Sequence, residues 1–239
     1  YSIMRLALTN SINRYAGGAW TPNKLSSLLH WYRNDIDILE SDGSRAEDGD
    51  DITQWSDQKG SNHLTASNNF YQFDEDSGGV SSEDTSNDKL NFTNQLNFSG
   101  QFSMYMKVKL STISGSSTDL FFYDADTSSQ DFFRVQSTSE FRGKIDNSLK
   151  IGFSTTVETG TYYNIGIERD GTNRVSFFLN GTSQTQITTS GYETGVVSGT
   201  LDIDAVGGNL DGIIKEIVIV NAALSTSNRT KLNNYLTAI

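Results

Sequence analysis

The 239-residue sequence holds no cysteine, a single proline and two histidines, and its 18 Lys and Arg are outnumbered by 29 Asp and Glu. Without cysteine there is no disulfide framework, no thiolate metal site and no thiol nucleophile. No apolar run reaches the roughly 18 residues that a membrane-spanning helix needs. The first residues lack the basic stretch, apolar core and small-residue cleavage site of a secretory signal. The expectation is a soluble mature chain that inserts into no membrane. A net charge of −11 disfavours nucleic acid as a partner, because non-specific binding to it rests on Lys and Arg neutralising phosphates.

What is present favours strands. The chain has 21 Gly, 13 Phe and 10 Tyr among many Ser, Thr and Asn, and aromatic and β-branched residues suit a pleated, half-buried surface. The length fits one large β-sandwich with appendages. Charge is unevenly placed: residues 1–34 carry +4, residues 35–88 carry −13 and residues 89–239 carry −2. A basic arm, an acidic loop-rich stretch and a near-neutral body follow one another.

The arm, residues 1–20, places Ile3, Met4, Leu6, Leu8, Ile12, Tyr15 and Trp20 among small polar residues, with Arg5 and Arg14 and a Gly17-Gly18 hinge. Its apolar side chains need a surface to cover them, either the chain's own body or another protein. Thr21-Pro22 then opens one or two helical turns, with proline at the first helical position. From residue 89 the pattern turns to period two. Phe102, Met104, Met106, Val108 and Leu110 share one face, with Ser103, Tyr105, Lys107 and Lys109 on the other, as a half-buried strand requires. Similar runs stand at 120–123, 132–136, 162–168 and 175–179, separated by turns such as Asp170-Gly171-Thr172-Asn173 and Asn180-Gly181. Ile213 to Val220 reads as a central strand. Ser225 to Ile239 reads as a short closing helix behind a Ser-Thr-Ser cap. The predicted fold is all-β: a two-sheet jelly-roll sandwich over residues 21–239, with the N-terminal arm before it and the short helix after it.

Four segments resemble the laminin-G-like, concanavalin A-like domains. They are Leu28-Leu29-His30-Trp31-Tyr32, Gln54-Trp55 through Leu64, Tyr162 through Gly181, and Gly212 through Ser225. In the second, Lys59 replaces the usual small polar residue. The arm, the Trp-Thr-Pro junction and the sandwich together resemble structural proteins of tailed phages, especially marine ones. That resemblance implies a non-catalytic virion surface protein, made in the host cytoplasm: a capsid decoration protein or a head or tail fibre component. It would be held to other virion proteins by the arm residues Ile3, Met4, Arg5, Leu6, Leu8, Ile12, Arg14, Tyr15 and Trp20. A homo-oligomer or multicopy assembly and adhesion to host-surface glycans follow from it. The alternative is a soluble carbohydrate-active protein, either a glycan-binding module or a glycoside hydrolase.

Catalytic and binding signals in the sequence are sparse. A retaining hydrolase of this superfamily aims alternate carboxylates from Glu-x-Asp-x-Glu into one cleft. Glu40-Ser41-Asp42-Gly43-Ser44 begins that pattern and ends in serine. Neither His30 nor His63 lies near a G-x-S-x-G turn. Asp42, Asp48, Asp50 and Asp51 supply hard oxygen ligands around Gly43 and Gly49 and are the candidate calcium site, although their spacing is not that of an EF-hand and an acidic run is usually solvated. Asp57, in a glycine-containing turn, is expected to cap backbone amides. For stacking on a sugar the candidates are Trp31, Tyr71, Tyr123 and Tyr192, and spacing singles out none of them.

Overall fold

The computed structural model describes residues 19–66, 71–82, 89–113, 120–125, 130–193 and 196–239. Among them the strands are, in chain order, β1 (Leu28–Tyr32), β2 (Ile38–Leu39), β3 (Gln54–Trp55), β4 (Leu64–Ala66), β5 (Tyr71–Asp74), β6 (Gly79–Ser82), β7 (Leu90–Phe98), β8 (Phe102–Leu110) and β9 (Leu120–Tyr123). They continue as β10 (Phe132–Ser137), β11 (Glu140–Ile145), β12 (Leu149–Ser154), β13 (Tyr162–Arg169), β14 (Val175–Leu179), β15 (Thr182–Ser183), β16 (Thr185–Gln186), β17 (Leu201–Gly208) and β18 (Gly212–Val220). One α-helix, α1 (Thr226–Ala238), ends the chain, and Pro22–Lys24 forms a single 3-10 turn. Two antiparallel sheets result. Sheet A runs β15, β14, β13, β8, β18, β6, β5, with β1 also paired to β18; sheet B runs β16, β12, β11, β10, β9, β17, β7, β4, β3, β2. The all-β sandwich and the closing helix expected from the sequence are both present. No helix among the described residues is long and apolar enough to cross a membrane.

The period-two run of β8 behaves as its sequence dictates. Phe102, Met104, Met106, Val108 and Leu110 all enter the core between the sheets. There they meet an aromatic column in which Phe141 stacks on Phe177 at 3.8 Å, with Phe121 and Phe133 beside Phe141. Arg169, fully buried at the end of β13, crosses the sandwich. Its Nε donates to the Gly100 carbonyl at 2.7 Å, Nη1 to Gly199 at 2.7 Å and Nη2 to Phe98 at 2.6 Å. The guanidinium also lies 5.2 Å from the centre of the Phe102 ring. One side chain thereby ties sheet A to the ends of β7 and β17 in sheet B. The turn that follows is shaped by Asp170, whose Oδ1 accepts from the amides of Thr172 and Arg174.

The middle of the outer face of sheet A is covered by α1. Leu232, Tyr235 and Leu236 of α1 pack on Tyr105, Val218, Val220 and Trp31, forming a second apolar cluster. Ser225 caps the helix, its side chain accepting from the Asn228 amide. Two carboxylates lie under the helix. Glu168 takes a bidentate grip from Arg229 at 3.0 and 2.7 Å and a hydrogen bond from the Tyr105 hydroxyl. Glu216 accepts from Trp31 Nε1 at 2.6 Å, from the Tyr235 hydroxyl and from the Asn34 amide. Lys107, expected on a half-exposed face, is buried as well, donating to the carbonyls of Leu236 and Ile239 at the end of α1; burial and the neighbouring Lys215 push its ammonium down to about 8.

Two local features close the edges. Asn180 and Gly181 take positive φ angles of 50° and 78°, the geometry that lets a two-residue turn match the twist of a hairpin. Beyond them the chain passes from β15, the edge of sheet A, to β16, the edge of sheet B, with only Gln184 between. Trp20, the last residue assigned to the arm, lies half-buried with its ring edge-on to Tyr235 at 6.3 Å. The other arm positions, Ile3, Met4, Arg5, Leu6, Leu8, Ile12, Arg14 and Tyr15, lie outside the described residues.

Two outcomes follow. Burial pushes the Glu216 carboxyl from 4.5 up to about 7. Between those values the unfolded chain has already lost a proton that the folded chain retains. Stability therefore falls as pH rises through that window, by about 3 kcal/mol in all. Thermal unfolding followed from about pH 4.5 to about pH 8 should show this decline, and Glu216→Gln should flatten it. Arg169→Met should cost about 3 kcal/mol or more in denaturant unfolding, because three buried carbonyls lose their donors at once.

Candidate functional site

Helix α1 covers sheet A, and among the described residues the outer face of sheet B carries no helix. Strands β10, β11 and β12 each alternate, sending Phe133, Val135, Phe141, Ile145, Ile151 and Phe153 inward. The residues between them point outward. Cross-strand register places Tyr123, Phe132, Lys144 and Lys150 in one row and Arg134, Arg142 and Gly152 in the next, about 7 Å away along the strands.

Aromatic rings and cations interleave on this surface. The Arg134 guanidinium lies 4.7 Å and the Lys144 ammonium 5.4 Å from the centre of the half-buried Phe132 ring. Arg134 Nη2 also donates to the Gln136 side chain at 2.6 Å. Tyr192 arrives from the segment after β16 and lies over Gly152, where an added Cβ would come within 2.7 Å of the ring. Arg142 faces that ring at 5.4 Å and donates through Nε and Nη2 to Glu140 Oε1 at 3.0 and 2.9 Å. The Tyr192 hydroxyl donates to the same carboxylate oxygen and accepts from Arg142 Nη2. Burial and the Glu140 hydrogen bond push the Tyr192 phenol up. Burial, with the positive charges of Lys150 and Arg134, pushes the Lys144 ammonium down against the pull of Asp131. Beyond Phe132, Tyr123 packs with Leu120 and Ala205 in a small cluster of its own and closes over Gly208. Past β17 the face turns to amides and hydroxyls: Asn97, donating to Asp202 at 2.6 Å, then Asn91, Thr65 and Gln54.

No family model matches the chain, and no curated protein matches it. Solved structures do share its fold. A Trypanosoma rangeli sialidase in complex with sialic acid matches with a TM-score of 0.58 at 12% identity, over 87% of this chain and 33% of that one. Domain 4 of an extracellular arabinanase from Geobacillus stearothermophilus, solved with arabinotriose, matches with a TM-score of 0.55 at 19% identity, over 87% of this chain and 98% of that domain. The binding domain of botulinum neurotoxin serotype D matches with a TM-score of 0.56 at 12% identity, over 89% of this chain and 52% of that one. The chain thus spans about a third of the sialidase. At these identities the likeness is one of fold, a concanavalin A-like sandwich, and none of the three shows a phage relationship.

One expectation is corrected by this result. The reading of the chain as no enzyme is overturned, since the structures that share its fold include a sialidase and an arabinanase domain.

The sequence-predicted positions fall in several places. Tyr123 and Tyr192 both reach the outer face of sheet B, whereas Trp31 and Tyr71 are interior, Tyr71 donating to the Gly207 carbonyl. Asp57 caps backbone as expected, accepting from the amides of Trp31 and Lys59 at 3.0 and 2.9 Å and pairing with His30 at 2.7 Å. Burial pushes its carboxyl up, and these donors outweigh that and hold it below its ordinary value. The carboxylates of Asp42, Asp48, Asp50 and Asp51 are not brought together. Asp42 caps Ser44, Asp48 accepts from the Glu75 amide, Asp50 from the Glu47 amide and Asp51 from Gln72. Asp42 and Asp50 are taken up within their own turns, Asp48 by the residue after β5 and Asp51 by β5 itself, so the run splays. Among the described residues no three His, Asp or Glu side chains group as a metal site. Glu40 lies at a turn with the Ser44 hydroxyl 3.3 Å away, apart from β10–β12.

Phe132, Arg134, Glu140, Arg142 and Lys144 were not singled out from the sequence, although their signal is there. Phe-Phe-Arg-Val-Gln and Glu-Phe-Arg-Gly-Lys-Ile alternate strictly, so charge on one face implies that face is outward. Gly152→Ala should destabilise by about 1–3 kcal/mol by displacing the Tyr192 ring. In a double-mutant cycle the same change on a Tyr192→Ala background should cost little, as read by denaturant midpoints.

Proposed function

We propose that this chain is a glycan-binding domain whose ligand lies across the outer face of sheet B. The observation that carries the reading is the half-buried Phe132 and Tyr192 rings, packed against Arg134, Lys144, Arg142 and Gly152, with Gln136 bonded to Arg134 and Glu140 to Arg142 and Tyr192. Sugars present apolar C–H faces and a rim of hydroxyls, which such rings and polar side chains match together. The contacts are set before any ligand arrives, which lowers the ordering cost of binding.

Of the two readings raised by the sequence, the carbohydrate one has the support. The arabinanase domain of similar length was solved with a trisaccharide. The pairing of a sandwich with a larger sialidase chain is what a domain that holds glycan near other machinery would look like.

A glycan array followed by calorimetry tests the proposal. Binding to an oligosaccharide is expected in the micromolar to millimolar range, and Phe132→Ala and Tyr192→Ala should each weaken it by about tenfold while leaving the fold intact. Undiminished binding in both variants, or no binding to any saccharide, would overturn the assignment.

A further inference from the structure

We infer that α1 is a pH-operated cover: it lifts from sheet A most readily near neutral pH and seats more firmly as the medium turns either acidic or alkaline. The observation that carries this is an acid and a base buried beneath one terminal helix, each bonded to that helix. Glu216 on β18 stands directly opposite Lys107 on β8. The Glu216 carboxylate accepts from the Tyr235 hydroxyl of α1, and Lys107 Nζ donates to the Leu236 and Ile239 carbonyls at the end of the same helix, at 2.8 and 2.6 Å. Both side chains are buried, and lifting α1 opens both to water. The main core between the sheets contains no residue of α1. Leu232, Tyr235 and Leu236 belong instead to the outer cluster with Trp31, Tyr105, Val218 and Val220. A terminal element seated in this way can open locally while the rest of the fold stays closed.

The direction follows from burial, which favours the uncharged form of an acid and of a base alike. The donors to Glu216 are all neutral: Trp31 Nε1, the Tyr235 hydroxyl and the Asn34 amide. The charges around it are Lys107 across the strands, Lys215 beside it on β18, and Arg33, whose guanidinium lies 4.9 Å from the centre of the Trp31 ring. From α1 come Arg229, which grips Glu168 together with Tyr105, and the exposed Lys231. Lys107 faces the neutral Asn164 on β13 and the Tyr162 ring at 5.6 Å, a ring that Lys109 and Lys215 also approach. Burial lifts the Glu216 carboxyl from 4.5 to about 7 against its donors and the pull of Arg33. Burial and Lys215 lower the Lys107 ammonium from 10.5 to about 8 against the pull of Glu216. With α1 lifted, both groups return towards their ordinary values. Between 4.5 and about 7 the seated form holds a proton on Glu216 that the lifted form has lost, so lifting grows easier as pH rises. Between about 8 and 10.5 the lifted form holds a proton on Lys107 that the seated form has lost, so lifting grows harder again. The two windows do not overlap, and opening peaks between them.

Hydrogen exchange of the full chain tests this, followed peptide by peptide by mass spectrometry and divided by the intrinsic chemical rate at each pH. Opening of residues 226–238 is expected to rise on the order of 30-fold from about pH 5 to about pH 7.5 and to fall on the order of tenfold by about pH 9.5. Strands β8 and β13 should keep their protection throughout. Glu216→Gln retains an acceptor for Trp31 and Tyr235 and should abolish the rise while leaving the alkaline fall. Lys107→Gln should abolish the fall and leave the rise. Protection of α1 that is the same at all three pH values, that changes in step with β8 and β13, or that rises without falling would overturn the inference. A Glu216→Gln profile identical to that of the unaltered chain would also overturn it. Should either variant fold poorly, the profile of the unaltered chain decides alone, a rise and fall confined to α1 supporting the inference.

Discussion

The docking of α1 onto sheet A rests on two carboxylates that water cannot reach. An ionised or hydrogen-bonding group in such a place is tolerated only with its partners in position. For Glu168 the partners are Arg229 from the helix and Tyr105 from the sheet; for Glu216 they are Tyr235 from the helix and Trp31 from β1. The helix has little amphipathic character of its own, and its three buried residues make a small apolar contact. Polar partners of fixed direction set the register of the helix on the sheet, which apolar contact alone would leave loose.

With sheet A closed in this way, the asymmetry of the sandwich has a simple origin. Each sheet has two faces, the inner pair makes the core, and one outer face is taken by α1 and the residues around Trp31. Sheet B must then present its outer face to something else, and the side chains there are neither a plain solvated surface nor a second core. Rings are trapped between cations, and glycines at 152 and 208 let Tyr192 and Tyr123 lie flat on the backbone.

Much of the framework was legible in the sequence. The alternation from Phe102 to Leu110 named the core face residue by residue, and Ser225 announced the helix start. The run Ile213 to Val220 was correctly read as a central strand, but its register shift between Ile214 and Glu216 was not. That irregularity sends Glu216 under the helix, and nothing local encodes it because it answers to partners nearly 200 residues away in sequence, such as Trp31. The two-residue strand β2 carries too little pattern to be recognised. The candidate site was half legible. Tyr123 and Tyr192 were among the aromatics named, and the alternation of β10 and β11 was open to reading. What joins them, a glycine at 152 on β12 beneath a tyrosine forty residues later, exists only once the chain has folded back. The acidic stretch misled in the other direction: density of carboxylates in sequence says little about convergence when Asp42 and Asp50 cap their own turns and Asp48 and Asp51 reach Glu75 and Gln72 instead.

The crossing at Gln184 has a consequence for life at high concentration. A sheet edge is a template on which another chain can add a strand. Here β15, β16 and β2 are two residues long, too short to hold such an addition in register, and on one side of the sandwich a single stretch of chain seals both sheets at once. Strand addition at those edges is therefore disfavoured, which keeps one copy from fusing edge to edge with another.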